Sequence, residues 1–152
     1  MNRAVWSAVG GVWLALSLGC ASATRLSLRP EEARHHFTVR HAQPAARAFS
    51  SVELALAETY RDLPSVLKLK QPETGTFLLR ALVGYRVAGA TLYSGYTLKI
   101  VATKGTVTLD FELGPLDGSN SIYPPASEIP RIHAAFRAIT ERLAQAVGGS
   151  VL

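Results

Sequence analysis

Apolar positions along the chain fall into three regimes. They are nearly continuous over residues 4–18, follow no period over residues 21–33, and become periodic over residues 34–148. The third regime predicts the elements. Residues 35–41 alternate, with Phe37 and Val39 on one side, which reads as a short strand. Pro44 suits a helix start. Beyond it Phe49, Val52, Leu56 and Tyr60 form a helical stripe, and Ala45, Ala46, Ala48, Ala55 and Ala57 favour the helix. Pro64 forbids its continuation.

After Pro64 the period becomes two. Residues 66–70 form a strand with Leu67 and Leu69 on one face, and residues 71–75 carry turn chemistry. Residues 76–87 form a longer strand in which Phe77, Leu79, Ala81, Val83, Tyr85 and Val87 share a face. Pairing Lys70 with Thr76 sets Leu69 against Phe77 and Leu67 against Leu79, so an antiparallel hairpin is expected. Residues 88–95 read as a connection. Lys104-Gly105 reads as a two-residue turn. It sets Ile100 against Leu109, Leu98 against Phe111, Tyr96 against Leu113 and Lys99 against Asp110. A slip of one residue would oppose apolar to polar rows, so this register is strongly specified. Residues 114–127 read as a loop, with Ser127 as a helix cap. Ile129, Ile132, Phe136, Ile139, Leu143 and Val147 then make a single apolar stripe, ended by Gly148-Gly149.

This order predicts an α+β fold, β-α-β-β-β-β-α. An antiparallel five-stranded sheet carries both helices on one face. The other face is expected to be solvated and salt-bridged by Lys68, Lys70, Arg80, Arg86, Lys99, Asp110 and Glu112, with Val66, Leu78, Leu82 and Val101 among them. The segments Phe37-Thr38-Val39, Ala57-Glu58-Thr59-Tyr60-Arg61-Asp62, Gly75-Thr76, Tyr96-Thr97-Leu98-Lys99-Ile100 and the helix over residues 129–143 carry a resemblance. Together they resemble a family of short bacterial lipoproteins of unknown function, whose fold is TATA-binding-protein-like and helix-grip-like. The resemblance implies that fold and an envelope location. It implies no DNA binding, since a fold name describes shape, and it brings no active-site residues.

The N-terminus points the same way. Arg3 followed by the apolar run fits an export signal, and the run is too short and too broken by glycine for a spanning helix. Leu16-Ser17-Leu18-Gly19-Cys20 reads as a loose lipobox. The expected organisation is a signal peptide over residues 1–19, a flexible tether over 20–33 from an acylated (palmitate-bearing) Cys20, and one domain over 34–148. Ala21 after the cysteine, in place of Asp, points to the outer membrane of a Gram-negative host, facing the periplasm or the cell surface. Cleavage after Ala21-Ser22-Ala23 is the competing outcome and would release a soluble chain; retention as a helical anchor is a third. Cys20 is the only cysteine, so neither an internal disulfide nor a cysteine-based metal site is open to the chain.

Charge changes little. The chain has 16 Lys and Arg against 11 Asp and Glu. The cations are scattered, and behind an export signal they argue for solubility or anionic surfaces over nucleic acid. Catalytic signatures such as a nucleophile elbow, a phosphate loop or a zinc-binding helix motif are absent from the sequence. Glu31, Glu32, His35, His36 and His41 are metal-ligand types, yet adjacent His35 and His36 point to opposite sides of a strand. His133 reads as a boundary residue of the last helix, and residues 117–120 as a turn. Tyr85, Tyr93, Tyr96 and Tyr123 read as core and rim aromatics of a sheet–helix cleft. No enzyme, metal or cofactor is expected. The expected role is a non-enzymatic envelope lipoprotein, held to the membrane by its lipid and docking on another envelope protein. Tyr93, Tyr123, Pro124 and Pro125 are the candidate contacts, on the connections over 88–95 and 114–126. The alternative is a small-molecule binder using a cleft between the last helix and the sheet.

Overall fold

A computed structural model of the chain describes residues 30–114 and 124–152. The elements are α1 (Pro30–Ala33), β1 (Arg34–Arg40), α2 (Ala45–Thr59), α3 (Leu63–Val66), β2 (Leu67–Gln71), β3 (Thr76–Val87), β4 (Ala90–Ala102), β5 (Thr106–Leu113), α4 (Ile129–Ala146) and β6 (Ser150–Val151). The six strands pair antiparallel in one sheet of order β2-β3-β4-β5-β1-β6. The fold class is α+β, as expected. The sheet, however, has six strands and not five. The sixth is two residues long, too short for alternation to reveal, and it pairs Val151 with Val39 and Ser150 with Arg40. The helix count is also higher than two, because single turns form at α1 and α3.

The periodic stripes of the sequence become the core. Phe37, Val39, Phe77, Leu79, Leu98, Ile100, Leu109 and Phe111 from the sheet meet Phe49, Val52, Leu56, Ile132, Phe136 and Leu143 from the helices, all buried. Two stacked ring pairs join the layers. Phe49 of α2 lies on Phe77 at 4.3 Å between centroids, and Phe136 of α4 lies on Phe111 at 4.2 Å. Tyr60 and Tyr96 meet through their hydroxyls at 2.8 Å where α2 ends over β4. Burial, and then Tyr96 itself, push the Tyr60 phenol far above its ordinary value. Both tyrosines stay neutral and share one hydrogen bond.

The β4–β5 register is the one the sequence specifies, with Ile100 on Leu109, Leu98 on Phe111, Tyr96 on Leu113 and Lys99 on Asp110. The first hairpin departs from expectation. Leu67 faces Leu79 as expected, but Lys70 pairs with Phe77 and Leu69 with Leu78, because a bulge falls between Leu67 and Leu69. The bulge turns Lys70 to the helix side, where its ammonium reaches Glu53 and lies 6.0 Å from the Phe49 ring centroid. Leu69 is left on the outer face. An edge strand tolerates such a bulge because only one neighbour loses its ladder. Val66 is likewise not on the open face: it ends α3 and packs against the core.

Three boundaries also shift. Residues 88–95 are not a long connection: Ala88-Gly89 alone turns the chain, and β4 begins at Ala90. Both turn residues have positive φ, 48° and 83°, the geometry that suits a twisted two-residue hairpin. Ser127 does not cap the last helix; it lies in a 3-10 turn over Ala126–Glu128, and α4 begins at Ile129 without a side-chain cap. The α1 turn falls within the stretch read as tether, and Ala33 packs against the core.

Candidate functional site

The helices cover one face of the sheet. Among the described residues nothing covers the other, and the side chains that alternate away from the core build it. Arg34, His36 and Thr38 come from β1, Thr108, Asp110 and Glu112 from β5, Thr97, Lys99 and Val101 from β4, and Leu78, Arg80, Leu82, Gly84 and Arg86 from β3. The face divides into two halves. On β1 and β5 polar side chains pair across strands: the Arg34 guanidinium donates to Glu112 Oε1 at 3.0 Å, and His36 Nδ1 meets Asp110 Oδ1 at 2.6 Å. On β2 to β4 the aliphatic Leu69, Leu78, Leu82 and Val101 are interspersed with the exposed cations Arg80, Arg86 and Lys99. A hollow of about 490 Å³ lies where the halves meet, lined by Leu78, Thr97, Lys99, Asp110 and Glu112 among others. It offers an apolar lining and a rim of both signs, and beside it His36, already on Asp110, also meets Thr38 Oγ1 through Nε2 at 3.2 Å. Such exposed ion pairs contribute little to stability, so their arrangement is available for recognition.

The space between α4 and the sheet differs from a ligand cleft. Phe136, Phe111, Tyr96 and Phe37 fill it, with ring centroids 4.2–5.9 Å apart. A second hollow of about 480 Å³ lies outside this space, between α2 and α4, lined by Ala55, Glu58, Thr59, Arg142, Gln145 and Ala146.

The candidate residues separate. Cys20 and Tyr123 lie outside the described residues. Tyr93 is exposed, as expected of a contact residue, but it sits in β4 on the open face and not in a loop. Its ring covers Gly84 on the neighbouring strand, where a Cβ would lie 3.4 Å from Tyr93 Cε1. Pro124 is buried and Pro125 half-buried, so they are poorly placed as contacts.

The histidines divide as their strand positions require. His36 faces outward to Asp110, and His35 faces inward to α4. His35 Nδ1 lies 3.0 Å from His133 Nδ1, so one ring donates and the other accepts. Whichever donates, His35 Nε2 is buried without a partner. Burial, and then His133, lower the His35 pKa. The sequence hides this pair, because nothing in it says that His133 and β1 meet. Among the described residues no group of three or more His, Cys, Asp or Glu could hold a metal ion.

No family model matches the chain, and no curated protein does. Solved structures do match. One is a TBP-like protein from Parabacteroides distasonis, with a TM-score of 0.52 and 9% identity over 72% of this chain and 91% of that one. Another is a DUF4468 family protein from Bacteroides ovatus, with a TM-score of 0.56 and 8% identity over 84% of this chain and 93% of that one. The fold is TBP-like. At these identities the likeness covers the fold alone, and the site must be argued from its own residues.

Proposed function

We propose that this chain is a non-enzymatic envelope lipoprotein, tethered through an acylated Cys20, that docks another envelope protein on the open face of its sheet. The observation that supports it is the face itself: an uncovered layer with charges paired across β1 and β5, aliphatics among cations on β3 and β4, and a hollow of about 490 Å³ between them. The export signal and lipobox pattern at Cys20 support the location. Weighing against a ligand cleft under α4 is the ring packing of Phe136 on Phe111. The open face thus replaces the loops as the proposed contact. Hydrophobic floor and polar rim is the usual anatomy of a protein interface.

The test reverses charge on the rim. In the lipidated chain, Lys99→Glu with Thr97→Arg should abolish co-purification of a native envelope partner while leaving the melting temperature unchanged, since both residues lie outside the core. Retention of the same partner by this variant would contradict the reading.

A further inference from the structure

The β3–β4 hairpin extends well beyond the rest of the sheet. Pairing to β2 stops at Leu79, and pairing to β5 stops at Tyr96. From Leu82 onward the two strands continue as a ribbon to the Ala88-Gly89 turn. Val87 lies five residues past Leu82, roughly 17 Å at the rise of an extended strand. One N–H of the ribbon's outer edge, that of Arg86, donates to Glu128 Oε2 at 3.0 Å, which fixes the ribbon against the start of α4.

The ribbon exposes apolar side chains on both faces, although Val83, Tyr85 and Ser94 on its helix side are buried. Leu82 (57% exposed) and Tyr93 (64%) lie on the open side, while Val87 (39%) and Leu92 (37%) lie on the other. Between Arg80 and Lys99 the only charged residue is Arg86, which is exposed just before the tip. A ribbon that docks on a flat protein surface needs one apolar face. An outer end that exposes Val87 and Leu92 on one side and Tyr93 on the other fits a medium that surrounds it.

The strand registers say where that medium would be. Arg34, Glu112, Thr97 and Arg80 form one row across the sheet. β1 runs away from this row toward Arg40, so the chain enters the domain on the same side of the row as the ribbon tip. The ten residues from Cys20 to Arg29 reach at most about 35 Å when fully extended, enough to span the length of the ribbon. We infer that the β3–β4 tip inserts shallowly into the lipid surface that holds the N-terminus. Val87, Leu92 and Tyr93 would enter the interface, where tyrosine is favoured, and Arg86 would meet lipid phosphates. This rests on the lipid-anchor reading above.

The experiment uses the full chain as processed by its host, reconstituted into vesicles of phosphatidylethanolamine and phosphatidylglycerol. An environment-sensitive dye is placed at Leu92→Cys, with Leu54→Cys on exposed α2 as the control. Lipids carrying nitroxides near the headgroup serve as quenchers, and flotation of the undyed chain reports anchoring separately. The expected result is a blue-shifted Leu92 dye quenched severalfold more strongly than the Leu54 dye. A chain that floats but leaves both dyes equally unquenched overturns the tip contact and spares the anchor. A Leu92 dye that shifts only when a membrane protein is added, without lipid quenching, also overturns it, in favour of a protein socket. A chain that does not float overturns both.

Discussion

His35 shows how a single side chain ties the fold to its surroundings. Its ring is wedged between His133 and Phe136, with centroids 5.1 and 5.3 Å away, and its Nε2 has no acceptor for a second proton. Burial first, and His133 second, hold its pKa below 6.5. The unfolded chain therefore takes up this proton at a higher pH than the folded one. Stability from this group is complete above 6.5 and is lost as pH falls through the folded value. His35→Phe keeps a ring against Phe136 and removes the titration. The drop in melting temperature between about pH 8 and about pH 5 should be smaller in this variant than in the natural chain. An equal drop would mean that other groups carry the acid sensitivity. The sequence did show that His35 and His36 face opposite sides, because alternation dictates it. It could not show the partner of either, since both partners lie more than seventy residues away.

Among the elements, stability and exposure are unevenly shared. α4 is held by Phe136, fully buried and stacked on Phe111, whereas the β3–β4 ribbon carries Leu82, Leu92 and Tyr93 in the open. Phe136→Ala should cost about 3–5 kcal/mol by loss of burial and the cavity left behind. Leu82→Ala, already exposed, should cost well under about 1 kcal/mol. Urea unfolding of the two variants checks this, and similar losses would show that the ribbon is part of the core. Elements were legible where periodicity was clean. The β4–β5 register follows from matched apolar rows and a glycine turn. The Ala88-Gly89 hairpin was hidden because Ala is an unusual residue at positive φ and because Leu92-Tyr93 breaks alternation. The β2 bulge was hidden because it is stabilised from outside the strand, by Glu53 and Phe49 on α2.

At the scale of the whole molecule, the two ends of the sheet have different characters. One end carries the Lys104-Gly105 turn. The other receives the N-terminal segment and projects the apolar ribbon, while the uncovered face lies between the two ends. This polarity suits a domain held close to a bilayer with one face turned to a partner. The candidate contacts were legible only in part: Tyr93 is exposed, but its neighbours on the face come from strands whose order the sequence did not give. The proposed acylation would make the arrangement permanent, since each buried CH₂ adds about 0.8 kcal/mol and two or more chains hold firmly. The proposed membrane location depends on the mature N-terminus, so intact-mass analysis of the protein isolated from its own host is the most direct measurement. The expected mass is that of a chain beginning at Cys20 and carrying acyl groups. An unmodified chain beginning at Thr24 would contradict it.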